Sequence, residues 1–169
     1  MELIEAIRTR RSIRQFTDRP VPEAMIGQII EAGMMAPSAG NQQPWHFLVI
    51  SDRDKLTAMQ AFHPYSTMAA KAAVSILICG EPEGLKYPQL WPQDCAAATQ
   101  NMLLAARDLG LGTVWVGIYP LEERMAGCRT LWGIPEKVVP FALVPVGWPA
   151  ATFAAVDRFK PDRIHHERW

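Results

Sequence analysis

The stretch Asp94-Cys95-Ala96-Ala97-Ala98-Thr99-Gln100-Asn101-Met102-Leu103-Leu104-Ala105-Ala106-Arg107-Asp108-Leu109, closed by Gly110, is the longest helical pattern in the chain and decides its architecture. It is rich in alanine and apolar on most sides, and a helix of that kind is buried. The spacing therefore predicts a central helix whose alanines permit close approach to another helix, from this chain or from a second subunit. Downstream, Gly110-Leu111-Gly112-Thr113-Val114-Trp115-Val116-Gly117 reads as a helix stop, a turn, a strand and a glycine at the strand's end. Leu121 to Leu131 reads as an amphipathic helix. Val138 to Val146 reads as the last core strand, and its Pro140 and Pro145 predict an edge or bulged position. Upstream, Val74 to Cys79 and Phe47 to Ile50 read as buried strands. Ser51-Asp52 caps a short helix through Leu56, Met59 and Phe62. Glu81 to Pro92 is proline-rich and irregular, a connection or a cover over an opening.

Nearer the N-terminus, Leu3, Ile4 and Ile7 give a first short helical pattern, which runs into Arg8-Thr9-Arg10-Arg11-Ser12-Ile13-Arg14. Four arginines and two hydroxyls in seven residues form an anion-seeking loop, although a solvated basic helix end has the same composition. Arginine rather than lysine suits planar, bidentate recognition of phosphate. Asp18 to Pro22 reads as an extended linker, with Pro22 placed at the first turn of a second helix carrying Met25, Ile26, Ile29 and Ile30. Pro37 stops that helix. The loop Pro37-Ser38-Ala39-Gly40-Asn41-Gln42-Gln43-Pro44-Trp45 follows, and its small and amide residues fit either an ordinary turn or close approach to a polar heteroaromatic edge.

A chain of 169 residues with 49% hydrophobic side chains has ample material for the core of a single domain, 1–169. Seventeen basic residues balance seventeen acidic ones, so no whole-protein field draws in nucleic acid, and any anion site is local. Cys79, Cys95 and Cys128 lack Cys-x-x-Cys spacing, which speaks against a disulfide framework or a zinc site and for reduced thiols in the cytoplasm. No apolar run approaches the roughly twenty residues of a membrane span. Residues 150–169 show no helical or strand period yet carry Phe153, Val156, Phe159, Ile164 and Trp169, so they read as an arm wrapped over a surface, of this chain or of a partner.

The catalytic inventory is thin. There is no Gly-x-Ser-x-Gly, no His-Glu-x-x-His and no Gly-x-Gly-x-x-Gly, and His46, His63, His165 and His166 fit no catalytic or metal-ligand spacing. No catalytic residue and no metal ligand is therefore assigned. A protein with an arginine loop, a polar loop and little acid–base machinery either only binds or leaves the chemistry to a cofactor.

Taken together, Arg10-Arg11-Ser12-Ile13-Arg14-Gln15-Phe16, the loop Pro37 to Trp45, Gly110 to Gly117 and the ending Glu167-Arg168-Trp169 resemble the FMN-dependent nitroreductase family in order and spacing. The resemblance covers essentially the whole chain. It implies an α+β fold with a mixed, largely antiparallel sheet flanked by helices. It also implies an intimate homodimer with two FMN sites at the interface and the C-terminal arm, 150–169, exchanged or wrapped.

Carried over by position, Arg10, Arg11 and Ser12 bind the FMN phosphate and Arg14 reaches the pyrimidine side of the ring. Pro37, Ser38, Asn41 and Gln43 line the same flavin from the other subunit. Val116 and Gly117 offer backbone near N5 and O4, and Arg158 and Lys160 supply a cationic pair near the phosphate, with Lys160 standing where some relatives have arginine. The implied activity is hydride transfer from NADH or NADPH through FMN to a small acceptor, a nitroaromatic or quinone, in a ping-pong cycle. A fixed cation such as Arg14 would then raise the flavin's reduction potential. Reductive dehalogenation, flavin fragmentation, small-molecule dehydrogenation and non-catalytic FMN binding stay open beside it. Neither a nucleic acid nor a membrane is an expected partner.

Overall fold

The computed structural model describes residues 2–150, 152 and 156–169. Phe153, one of the arm's expected apolar anchors, lies outside them. The helices are α1 (Leu3–Thr9), α2 (Glu23–Met34), α3 (Arg53–Ala58), α4 (Trp91–Asp108) and α5 (Glu122–Trp132). The strands are β1 (Trp45–Ile50), β2 (Val74–Gly80), β3 (Gly112–Thr113), β4 (Val116–Gly117) and β5 (Val139–Gly147). They form one five-stranded sheet in the order β1-β2-β5-β3, with β4 also paired to β5. Every ladder is antiparallel. The parallel component is a single bridge, Ser12 to Thr113.

Alternation along the two central strands builds a core on each face of the sheet. Val74, Ile76 and Ile78 of β2, with Ala142, Val144 and Val146 of β5, meet Ile29 of α2 and Cys95, Ala98, Met102 and Ala106 of α4. Leu77, Cys79 and Leu143 point the other way, against Leu56 of α3, Met59, and Met125 and Cys128 of α5. The helices thus cover the sheet from both sides, and α4 buries one face (Trp91, Asp94, Cys95, Ala98, Thr99, Met102, Leu103 and Ala106) while its other side, expected to be buried too, stays partly open in the single chain. All three cysteine thiols are buried, and that burial pushes their pKa up to about 12, which suits packing rather than reaction.

Helix α4 begins at Trp91, earlier than its apolar period shows, because Pro92 sits in the first turn, where its missing N–H costs nothing. It ends at Gly110, whose φ of 77° only glycine adopts readily. Trp91 packs over the end of β2 so closely that a Cβ at Gly80 would lie 2.2 Å from its ring.

One open alternative is decided and one expectation is corrected. Strand β5 is the centre of the sheet and not an edge. Its prolines survive there because β3 ends opposite Val146 and β4 begins opposite Leu143, so Pro145 faces the gap between them. Pro140 sits at the register shift against Ile78 and Cys79, the bulge its ring demands. Strand β1 is not fully buried but is an edge strand with Leu48 and Val49 exposed. Helix α1 turns Leu3, Ile4 and Ile7 outward and buries only Ala6.

The N-terminal linker is stitched to the exit of β5. Thr17 N–H donates to Trp148 O (2.9 Å), Ala150 N–H to Gln15 O (3.0 Å) and the Trp148 indole to Pro20 O (3.0 Å). This seam delivers the C-terminal segment beside the arginine loop. Beyond it, residues 156–169 hold one short 3₁₀ turn, Pro161–Arg163, and no other regular element.

Candidate functional site

The arginine loop starts where α1 ends, with Arg10 as its C-terminal cap donating its N–H to Ala6 O. It is pinned to the sheet at Ile13, which is buried and donates its N–H to Thr113 O at 2.8 Å. Extended backbone alternates its side chains, so burying Ile13 turns Ser12 and Arg14 outward on a common side.

Arg10 and Arg11 line a cleft of ≈ 840 Å³ with Arg8, Gln100 and, from the C-terminal segment, Arg158 and Phe159. Burial, and then the charges of Arg158 and Arg11, lower the pKa of Arg10. Arg11 donates one N–H to the Arg10 carbonyl at 2.6 Å, while its Nε and Nη2 are buried without a protein partner. Three guanidinium groups thus crowd one cleft, and one of them keeps donors that no acceptor among the described residues satisfies. Lys160 does not line this cleft. It sits in a neighbouring depression with Arg158 and Arg163.

A second cleft, of ≈ 470 Å³, contains Arg14, Val116 and Gly117. A Cβ added at Gly117 would meet no atom within 4 Å, so this chain's own packing does not demand a glycine there. The Gly117 carbonyl accepts from His63 Nε2 and from Arg124 Nη1, each at 2.8 Å. His63 is buried, and desolvation lowers its pKa, so the ring is neutral with Nε2 carrying the hydrogen. Its Nδ1 is buried without a protein partner. Neither His63 nor Arg124 shows in the sequence as a site residue, because 54 and 7 positions separate them from Gly117 and no motif marks the pairing.

Pro37, Ser38, Asn41 and Gln43 line neither cleft within one chain. Their loop is nonetheless tightly built. Ser38 Oγ accepts from Gln43 N–H at 3.0 Å and Gln43 Nε2 donates to Asn41 Oδ1 at 2.9 Å. Asn41 and Gln43 hold φ of 54° and 51°, left-handed values that cost roughly 1–3 kcal/mol where no glycine provides them. Asp94 in the first turns of α4 anchors the loop by accepting from Ala39 N–H at 3.0 Å, and Gln42 Oε1 accepts from Lys86 N–H and Tyr87 N–H.

An antiparallel sheet covered on both faces by helices, an α+β arrangement, thus carries one cationic cleft between the arginine loop and the C-terminal segment and another where Arg14 meets β4. The model of the nitroreductase family matches residues 7–148. The chain belongs to the nitroreductase family. It is 50% identical over 169 residues to a protein of Methanothermobacter thermautotrophicus named for NADH dehydrogenase/NAD(P)H nitroreductase activity, covering 100% of this chain and 88% of the relative. A crystal structure under the same name from Bacteroides thetaiotaomicron superposes with a TM-score of 0.93 at 37% identity, over 99% of this chain and 98% of the other. A nitroreductase of Desulfovibrio desulfuricans in complex with FMN superposes with a TM-score of 0.83 at 34% identity, over 100% and 98%. Among the described residues no helix is long and apolar enough to cross a membrane.

Proposed function

We propose that this chain is an FMN-dependent oxidoreductase that takes hydride from NADH or NADPH and passes it to a nitroaromatic, a quinone or a related small acceptor in a ping-pong cycle. It works as a homodimer of one-domain chains in the reducing cytoplasm. The observation that carries the reading is the cleft shared by Arg10, Arg11 and Arg158, in which Arg11 Nε and Nη2 have no acceptor among the described residues, an arrangement that fits a terminal phosphate. Bound FMN supplies the hydride chemistry that no side chain of this protein offers.

The chain's residues bind and orient. Arg10, Arg11 and Arg158 hold the phosphate in their shared cleft, while Ser12 and Lys160, which lie outside it in the single chain, serve only from its margin. Arg14 lies in the other cleft and sets a cation at the pyrimidine edge, favouring added negative charge on the ring. Val116 and Gly117 bring bare backbone to the ring's N5 side. Pro37, Ser38, Asn41 and Gln43 serve the partner's flavin, which accounts for a strained, well-anchored loop that faces neither cleft of its own chain.

Mass spectrometry of the cofactor released from the purified protein is expected to give FMN, and NADH or NADPH is expected to bleach the bound flavin anaerobically. Recovery of FAD alone, or no flavin after reconstitution with excess FMN, would overturn the reading. Flavin that is bound but never bleached would leave only a carrier. Within this scheme Arg14→Ala lowers the flavin's reduction potential more than Arg10→Ala does, and an unchanged potential in flavin-loaded Arg14→Ala would remove that role.

Gly117→Ala separates packing from ligand approach. With open space around the new methyl, the change is expected to alter the unfolding free energy of the flavin-free protein by no more than the range of surface substitutions, about ±0.5 kcal/mol. FMN affinity or turnover is expected to fall. Loss of stability without loss of flavin would return Gly117 to a structural role.

A further inference from the structure

We propose that His63 and Arg124 are positioning residues, which tie down the Gly117 carbonyl so that this backbone edge meets the flavin as a donor and favours the ring's reduced, more negative form. The inference rests on the flavin reading above and adds two residues to it. Ile118 N–H donates to Phe141 O of β5 at 3.1 Å. Successive residues of a strand send their backbone groups to opposite sides, so Gly117 turns its N–H and C=O away from β5. Among the described residues β4 pairs with no strand but β5. On its open side His63 Nε2 and Arg124 Nη1 reach the Gly117 carbonyl instead, each at 2.8 Å. A carbonyl oxygen has two lone pairs, so two donors satisfy it and leave the Gly117 N–H as the group this edge offers a ligand.

Packing delivers both donors to one oxygen. His63 is buried in the turn that trails α3, where its N–H donates to Met59 O at 3.0 Å and its carbonyl accepts from Ser66 N–H at 3.0 Å and Ser66 Oγ at 2.7 Å. Phe62, the residue before it, seats that turn on α5. A Cβ at Gly127 would run into the Phe62 ring, so the missing side chain there lets the turn and the helix meet. Arg124 stands three residues earlier on α5 and so on the same face as Gly127. Its guanidinium also lies 5.9 Å from the centroid of the Tyr65 ring, a second restraint on its position.

Arg124 has no other reason to be where it is. It occupies the first turn of α5, where the helix dipole favours acidic side chains, and among the described residues no carboxylate forms an ion pair with it. What it finds there is the Gly117 carbonyl. Glycine has no side chain to keep its peptide from turning, and an untied carbonyl on this edge would bring a partial negative charge to the ring. With the carbonyl held, a fixed donor and the Arg124 charge face the place where negative charge grows on reduction, and neither must reorganise when it does.

Equilibrium redox titration of the FMN-loaded protein, set beside its affinity for oxidised FMN, gives the preference of each variant for reduced over oxidised flavin. Arg124→Met is expected to lower that preference about tenfold, the low end of what one charge-assisted hydrogen bond supplies, and Arg124→Lys to keep part of it. His63→Gln, whose amide N–H can stand where Nε2 does, is expected to stay near the wild type, and His63→Leu to fall with Arg124→Met. In the flavin-free protein, NMR relaxation at the Gly117 amide is expected to show wider motion on the ps–ns timescale in Arg124→Met than in the wild type. Should Arg124→Met fail to fold, Arg124→Gln, which loses the charge and the reach to Gly117, takes its place under the same criteria. An unchanged preference, or oxidised and reduced FMN weakened by the same factor, would overturn the proposal, and so would a Gly117 amide no more mobile without its tether. A wild type that holds no FMN counts against the proposed function alone, and a loaded wild type whose variants keep its preference counts against this inference alone.

Discussion

A chain ending at Ala150 is expected to run as a monomer in light scattering and to bind FMN at least about a hundredfold more weakly than the full chain. One part of that loss is direct, because the deletion removes Arg158 from the phosphate cleft, and a charge-assisted contact is worth roughly 1.5–3 kcal/mol. The other part comes through association. Val156, Phe159, Ile164 and Trp169 of the arm are exposed in the single chain, as are Leu3, Ile4 and Ile7 of α1 and Met34 and Met35 at the end of α2. Leu3, Ala32, Met35 and Leu104 also line an open apolar groove along α4. Exposed apolar surface of this extent fits the proposed dimer interface, and interfaces of permanent dimers bury on the order of 2,000 Å² or more. Since the loop at Ser38 to Gln43 is proposed to complete the partner's site, losing the dimer would also remove that loop's share of each flavin's contacts. A folded monomer of the truncated chain that keeps FMN at wild-type affinity would show that the site is built within one chain, and the interface argument would fall with it.

Replacing Arg11 with alanine should move the two states of the protein in opposite directions. In the flavin-free protein, Arg11 is a cation with buried, unpartnered nitrogens beside Arg10, whose own pKa is lowered by burial and by the charges of Arg158 and Arg11. Removing it relieves like-charge repulsion and a desolvation cost, so the melting temperature of flavin-free Arg11→Ala is expected to equal or exceed that of the wild type. With FMN the sign reverses. Two donors that have no other partner are lost from the phosphate, and affinity is expected to fall about ten- to a hundredfold. Differential scanning calorimetry with and without FMN reads both arms. If flavin-free Arg11→Ala melts well below the wild type while FMN affinity is unchanged, Arg11 is part of the packing and the anion site is elsewhere.

Much of this was legible because local chemistry decided it. The arginine loop, the small-residue loop and the glycine ending the short strand carry their meaning in residue type and order, and α4 announces its burial by having almost no polar side. Asp52 caps α3 as its position before an apolar period requires, its carboxylate accepting from Asp54 and Lys55 N–H. Proline misled at β5 because its effect in a sheet depends on what lies across from it. The same residue that marks an edge is harmless opposite a break between two short strands. Leu48 and Val49 misled for a related reason. An apolar side chain reports that something covers it, without saying whether that cover belongs to its own chain.

By itself, then, the sequence determined the family and the central helix, and it marked the arginine loop as the place to look for an anion, since each follows from residue type and near-neighbour spacing. Only the tertiary structure decided which distant groups meet. Arg158 reaches Arg10 because the seam between Thr17 and Trp148 carries the chain's end back to its beginning. His63 and Arg124 meet on the Gly117 carbonyl because α3's trailing turn and α5 pack on the same face of the sheet. Asp94 reaches Ala39 because α4 starts beside the polar loop. Contacts across such separations are set by how the layers stack, and no local pattern of residues encodes them.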